Sequence, residues 1–289
     1  MRIEFPYDDI AGVDIAGERL RGVIAPRDAQ PSAPAAAAID AALDRPLGCP
    51  RLRALGSEAR RVLILCDDNT RPTPVHLVLP ALLERLTSSD RPPGIAFMIA
   101  TGTHRPMTMA EKTAKLGEEI CRKYPVWDHR WDEPSELMYI GETQSGIPVR
   151  LNRHLLEFDL LLGIGHVAPH RMAGFGGGSK IVQPGVCGAL TTGRTHWLAA
   201  GFTTAGLMGR AENPVRTEMD HVAEMANLAA VVNLVLNTKD EVVGCFHGDP
   251  VTAHRAACRL SREVFSAHVA ELADVVVIES YPGDLDLWQ

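Results

Sequence analysis

From Arg61 onward the chain alternates short, densely apolar runs with longer stretches in which apolar side chains return every third or fourth position. The runs at 62–66, 95–100, 159–164, 230–236, 242–245 and 274–278 are rich in Val, Ile and Leu and predict strands. Residues 75–86, 109–123, 215–227 and 251–265 carry the helical period. Strands that alternate with helices and hold few polar positions belong in a sheet covered on both faces. The pattern therefore predicts an α/β fold, Rossmann-like, with a mostly parallel sheet. Residues 1–60 are less regular: an Ala-rich helical piece at 35–43 lies between proline-containing segments, which predicts an appended hairpin and helix.

Composition narrows the classes. A length of 289 residues accommodates one large or two modest domains, with no internal repeat. A formal charge of -7 provides no broad basic surface, so no nucleic-acid partner is expected, although a local cationic pocket remains open. No apolar run reaches the ~18 residues of a membrane span, and the first residues lack a basic and apolar leader. A cytoplasmic location without a membrane partner is expected. The six cysteines (Cys49, Cys66, Cys121, Cys187, Cys245, Cys258) form no CxxC pair, which predicts reduced, mostly buried thiols. After the last predicted strand come Ser280, Tyr281 and Pro282, then a polar loop to Trp288 and Gln289, which reads as an interrupted polypeptide.

Ligands of open α/β sheets collect beyond the carboxyl ends of the strands, and three loops there are chemically loaded. The first, Asp-Asp-Asn-Thr-Arg-Pro-Thr-Pro at 67–74, offers carboxylates and Arg71 to a ribose, phosphate or carboxylate. It could equally be an Asx turn with a surface ion pair. The second, Ala-Thr-Gly-Thr-His-Arg-Pro-Met-Thr at 100–108, presents small hydroxyls, Gly102 and His104, and leads to a helix capped by Thr108. The third runs through His170 and a glycine stretch to Lys180.

Two familiar motifs fail in that third loop. Gly163, Gly165 and Ala168 fit G-x-G-x-x-A, but Pro169 and later glycines delay the helix, and no acidic residue follows at ribose distance. Ser179 precedes Lys180 and Ile181 follows it, so the Gly-Lys-Ser/Thr of a P-loop is absent as well. What remains is a flexible loop between a base and an amine. Residues 187–200 predict a helix with Arg194 and His196, whose single imidazole can give only one ligand to a metal. His166, His221, His247 and His254 read as structural.

Taken together, the 67–74 and 100–108 loops, Pro-His-Arg-Met-Ala-Gly-Phe-Gly-Gly-Gly-Ser-Lys at 169–180, and His196 resemble the nickel-dependent lactate racemase family, in its amino-terminal domain. Gly185, Asn213 and Pro214 with Glu218, Gly248 and Asp249, and Tyr281 and Pro282 through Gln289 extend the resemblance over nearly the whole chain from about residue 60.

The resemblance implies the following roles. Lys180 is attached through a thioamide to a nickel-pincer nucleotide, a pyridinium-3-thioamide-5-thiocarboxylic acid mononucleotide, and His196 completes the square plane of the nickel. Asp68 and Arg71 lie in the cofactor and substrate pocket, with Arg71 on an anionic group. Thr101, Gly102 and Thr103, with Gly176, Gly177 and Gly178, line the nucleotide phosphate. His104 and His170 are the catalytic histidines, one for each enantiomer, that move the hydroxyl proton while hydride passes from C2 of a 2-hydroxy acid to the cofactor, leaving a 2-keto acid.

Trp288 and Gln289 fall at the substrate. Trp288 stands where the family carries tyrosine, so a larger or differently shaped 2-hydroxy acid than lactate is expected. Cofactor-synthesis and nickel-insertion enzymes are the implied partners. By the same resemblance, residues 1–270 form the amino-terminal α/β domain, and 271–289 a linker and the truncated start of a largely absent second domain that closes the cleft. An open site is expected to impair hydride chemistry. Two other readings stay in view: a non-catalytic fragment that binds a nucleotide or carboxylate, and an imine-forming enzyme using Lys180.

Overall fold

The computed structural model describes residues 1–4, 11–269 and 271–278, which fall into two compact units divided after Arg27 and after Phe265. In the smaller unit, β1 (Arg2–Ile3) pairs antiparallel with β2 (Val13–Asp14), the expected hairpin. The expected strand at 274–278 is not formed, and Val275 and Ile278 are each 78% exposed. An apolar run becomes a strand only when a neighbour takes its N–H and C=O groups, and no strand among the described residues pairs with this one.

The larger unit, residues 28–265, opens with α1 (Ala35–Asp44) and α2 (Leu52–Glu58). Then follow β3 (Arg61–Asp67), α3 (Val75–Leu86), β4 (Gly94–Ala100), α4 (Met109–Leu116), α5 (Glu118–Lys123) and β5 (Val126–Asp128). A hairpin, β6 (Leu137–Glu142) and β7 (Pro148–Asn152), precedes β8 (Leu160–His166) and the tight pair β9 (Pro169–His170) and β10 (Gly174–Phe175). The remainder is α6 (Ala189–Ala200), α7 (Thr204–Leu207), α8 (Pro214–Met225), β11 (Leu228–Leu236), β12 (Val242–Gly248) and α9 (Pro250–Phe265).

Six strands form one sheet in the order β12-β11-β8-β3-β4-β5, parallel except for β12. Side chains alternate between two cores. On β3, Val62, Ile64 and Cys66 join one cluster with α1 and α3, while Leu63 and Leu65 join the other with Ile181, Val182 and Val222. On β4, Ile95, Phe97 and Ile99 divide from Ala96 and Met98 in the same way. This period of two, apolar on both sides, is why the runs read as continuous.

The expected helix at 109–123 is two helices. Gly117 has φ 96°, a left-handed backbone, and α5 starts afresh after it. The start of α4 is fixed by a capping box: Thr108 accepts from the Glu111 N–H, and Glu111 accepts from the Thr108 N–H.

From β3 the chain steps through β4 to β5 on one side, then returns to β8 and proceeds through β11 to β12 on the other. The strand order reverses between β3 and β8, the place where open α/β sheets take their ligands, and Asp67 and His166 end their strands there. No helix among the described residues is long and apolar enough to cross a membrane. Cys66, Cys187 and Cys258 are buried, Cys49, Cys121 and Cys245 partly so, and all six are free thiols.

Candidate functional site

The loop after β3 is built around buried charge. The Lys115 ammonium, from α4, lies 2.8 Å from Asp67 Oδ1 and donates to the carbonyls of Asp68 and Arg71 at 2.9 and 2.7 Å. Thr73 Oγ1 donates to Asp67 Oδ2 at 2.5 Å. Burial raises the Asp67 carboxyl above its ordinary range, against the lowering pull of Lys115 and Thr73. One turn earlier, Lys112 pairs with Asp128, whose Oδ1 accepts from the Met107 N–H at 3.1 Å. Two lysines on one face of α4 thus hold both loops.

That frame aims Asp68 at His104. Asp68 Oδ1 accepts from the Thr70 N–H and hydroxyl at 3.1 and 2.5 Å, and Oδ2 lies 2.6 Å from His104 Nδ1. Burial raises the Asp68 carboxyl, but hydrogen bonds from His104 and Thr70 outweigh it and hold the group below the usual carboxylate range. Asp68 is 5% exposed and His104 39%, so a buried carboxylate backs an imidazole open to a ligand.

The rest of the second loop is tied inward. Thr101 Oγ1 donates to the His129 carbonyl at 3.1 Å, and the Gly102 N–H to Gly185 O at 2.9 Å. His129, pushed down to about 4 by burial, bonds Cys187 O through Nε2 at 2.9 Å. Thr103 is exposed.

Beyond β10 the glycine stretch leads into a short 3-10 turn, Gly178–Ile181, that carries Lys180. The stretch is seated by groups from three elements. Arg216 of α8, fully buried, donates to the carbonyls of Ala173, Phe175 and Gly177. His254 Nε2 of α9 bonds Gly176 O at 2.9 Å, and Asn233 Oδ1 of β11 accepts from the Gly178 N–H at 2.9 Å. The Gly176 N–H donates to Ala168 O at 2.8 Å. The smallness of these glycines therefore serves the chain's own packing: a Cβ at Gly178, which has φ +57°, would stand 2.7 Å from His254. Gly178→Ala is expected to cost about 1–3 kcal/mol, read by urea unfolding.

Lys180 is partly accessible yet densely enclosed. Burial, then the charges of Arg71 and Arg216, push its ammonium down to about 7, with Asp68 and Asp67 pulling the other way. The same charges connect the remaining residues. His170 is pushed down to about 2 by burial, then Lys180, Arg71, Arg216 and Arg171. His196, exposed on α6, is lowered by burial of its ring and then by Lys180 and Arg171. Asp68, Arg71, His104, His170, Lys180 and His196 thus share one electrostatic neighbourhood at the strand reversal.

The hairpin helps set α6. The Gly188 N–H bonds Arg150 O at 2.9 Å, Thr191 Oγ1 accepts from the Arg150 N–H at 2.9 Å, and Gln183 Nε2 donates to Thr195 Oγ1 at 2.7 Å. Trp288 and Gln289 lie outside the described residues. Among the described residues no group of three or more His, Cys, Asp or Glu could hold a metal ion. A metal here needs most of its ligands from a bound group, which fits a lone, accessible His196 within the electrostatic reach of an amine pushed down to about 7.

A Rossmann-like sheet with a low-pKa lysine and an Asp-backed histidine in the loops at its strand reversal defines an α/β protein whose candidate site lies beyond the carboxyl ends of the strands. The lactate racemase N-terminal domain model matches residues 8–205, and the chain belongs to that family. The lactate racemase of Thermoanaerobacterium thermosaccharolyticum is 30% identical over 297 residues, spanning 99% of this chain and 68% of that protein. That of Lactiplantibacillus plantarum is 32% identical over 259 residues, 87% of this chain and 60% of its own length. The structure of the lactate racemase apoprotein from Thermoanaerobacterium thermosaccharolyticum matches with TM-score 0.82 at 29% identity, covering 91% of this chain and 63% of that one. A Thermotoga maritima crystal structure matches with TM-score 0.65 at 27% identity, covering 74% and 57%.

Sequence reasoning picked out His104, His170, Lys180 and His196, read His254 as structural, and missed Lys115, Arg216 and Asn233 as residues that hold the loops. The paired lysines at i and i+3 on α4 were the one available signal.

Proposed function

We propose that this chain is the amino-terminal part of a 2-hydroxy acid racemase or epimerase that works with a nickel-pincer nucleotide tethered at Lys180. One observation carries the reading most: an amine depressed to about 7 feels the charge of an Asp68 paired with His104 and itself acts on a second histidine, His170. When bound, the cofactor supplies nickel and the hydride acceptor. His196 is its protein ligand to nickel, and Asp68, Thr101–Thr103 and Gly176–Gly178 form the walls around the nucleotide. Arg71 orients the substrate carboxylate, and Trp288 and Gln289 face the substrate. His104 takes the hydroxyl proton, with Asp68 holding the imidazolium that results, and His170 attends the same oxygen.

The lysine's share of this is to be unprotonated. A nucleophilic amine must be neutral, and an ordinary lysine at neutral pH is almost wholly charged. At Lys180 the neutral fraction rises as pH climbs through about 7, so labelling by an amine-specific electrophile is expected to fall tenfold per pH unit below that midpoint and to level off above it. Competitive labelling with peptide mass spectrometry checks this. A midpoint near 10 contradicts it.

The functional test uses chain produced alongside cofactor-synthesis enzymes and a panel of single-enantiomer 2-hydroxy acids bearing deuterium at C2. Appearance of the opposite enantiomer with its deuterium retained supports hydride transfer. Loss of deuterium to solvent, or no racemisation of any acid, overturns it, and reversible binding without turnover favours the binding-fragment reading.

A further inference from the structure

Arg216 is a buried cation that no carboxylate answers by contact. The residue is 0% exposed, and its guanidinium spends its N–H groups on backbone carbonyls: Nε on Ala173 O at 3.4 Å, Nη1 on Gly177 O at 3.2 Å, and Nη2 on Phe175 O. Asp220, one turn further along α8, gives its Oδ2 to Arg255 Nη2 at 2.8 Å instead. Burial lowers the guanidinium only to about 10, so it keeps its charge at neutral pH.

This placement goes against two general tendencies. A buried charge is costly unless an opposite charge meets it. The first turn of a helix favours acids over cations. Arg216 nevertheless sits in that turn of α8, where no acidic residue lies, and its N–H donates to the capping Asn213 Oδ1 at 2.9 Å. Departures of this kind concentrate at functional sites.

The carbonyls lead from this cation to Lys180. Gly177 O accepts from Arg216 Nη1 and from the Lys180 backbone N–H, both at 3.2 Å. The guanidinium is therefore one shared carbonyl away from the lysine turn. Of the other charges that face Lys180, Arg71 adds to the repulsion, while Asp68 and Asp67 oppose it. Both acids are already engaged, Asp67 with Lys115 at 2.8 Å and Asp68 with His104 at 2.6 Å. His170 and His196 also feel the lysine, and both are held neutral by burial and the surrounding cations.

We propose, resting on the functional reading above, that Arg216 is a positioning residue for Lys180: it gathers the carbonyls of residues 173, 175 and 177 beneath the lysine turn and sets there a permanent positive charge that favours an amine over an ammonium. Burial of the lysine alone would do part of this. The fixed cation does the rest before any cofactor arrives.

The test is competitive acetylation of the full chain with isotopically labelled acetic anhydride from pH 5 to pH 10, read by peptide mass spectrometry against Lys239, whose side chain is 62% exposed. In the parent the Lys180 midpoint is expected at about 7. Arg216→Gln is expected to raise it by about one pH unit, a tenfold drop in reactivity below the midpoint. Asn233→Ala removes an uncharged seat of the same turn, the acceptor of the Gly178 N–H at 2.9 Å, and should raise the midpoint far less. Equal rises in the two variants, or no rise in Arg216→Gln, overturn the proposal. Should Arg216→Gln not unfold cooperatively in urea, Asp220→Asn decides, because it removes the carboxylate that acts on Arg216 with little change of shape. A lower Lys180 midpoint there supports the charge, and a level or higher one overturns it. Failure of the parent to gain a cofactor adduct at Lys180 defeats the functional reading and leaves these midpoints intact.

Discussion

Asp68→Asn is expected to lower racemisation by the loaded chain about ten-thousandfold, with the fold and the Lys180 adduct retained. Asp68 Oδ1 is already engaged by the Thr70 N–H and hydroxyl. An asparagine there keeps its oxygen on Thr70 and turns its amide nitrogen to His104 Nδ1, where a carboxylate oxygen now lies at 2.6 Å. Nδ1 then has to accept, the proton moves to Nε2, and the base is gone. Serine hydrolases with the equivalent change lose a factor of about 10⁴ for the same reason. Chiral chromatography of the product against time measures the rate, and a variant within tenfold of its parent would remove Asp68 from the account.

Lys115→Met is expected to destabilise the larger unit by about 3–5 kcal/mol, the cost of leaving one member of a buried ion pair without the other. Lys115 is 7% exposed and Asp67 13%, and the two carbonyls of Asp68 and Arg71 lose their donor together with the carboxylate. The deficit should depend on pH with a definite sign. Burial already raises the Asp67 carboxyl above its unfolded value of 3.8, and removal of Lys115 raises it further. The folded variant therefore binds a proton that the unfolded chain has released, and its stability falls as pH rises from 3.8 toward the folded value. Urea unfolding at pH 5 and pH 8 should show the larger deficit at pH 8. The double variant Asp67→Asn with Lys115→Met should recover part of it, since no uncompensated charge remains. A single-variant deficit under about 1 kcal/mol falls below the range for a buried pair and would contradict the account.

The strands were legible because they are buried on both sides: β3, β4 and β8 have hardly a polar position within them. Break points were harder. The helical period runs unbroken through Leu116 and Glu118, and only the backbone angle of Gly117 divides α4 from α5. The β6–β7 hairpin went unread although Ser145 and Gly146 mark its turn, since its first strand, Leu137–Glu142, is half exposed and shows no steady alternation. Residues 274–278 have strand composition, but strand formation depends on a partner, which no local pattern supplies.

The site divides in the same way. The candidate ligand residues stood out because they lie in loops after strands, where binding residues concentrate. Those that hold the loops did not. Lys115 and Arg216 act on the carbonyls of residues 68, 71, 173, 175 and 177. Every residue type supplies a carbonyl, so such bonds leave no partner to recognise in the sequence. His254 was read as structural, and its bond to Gly176 makes it part of the frame of the lysine loop.

The central claim is that Lys180 is a cofactor tether, and intact-mass measurement of chain produced with the cofactor-synthesis enzymes tests it most directly. The account predicts an added mass equal to the nickel-pincer nucleotide, mapped by peptide analysis to Lys180, lost in Lys180→Ala, and accompanied by nickel on elemental analysis. An unchanged mass with no nickel would contradict it.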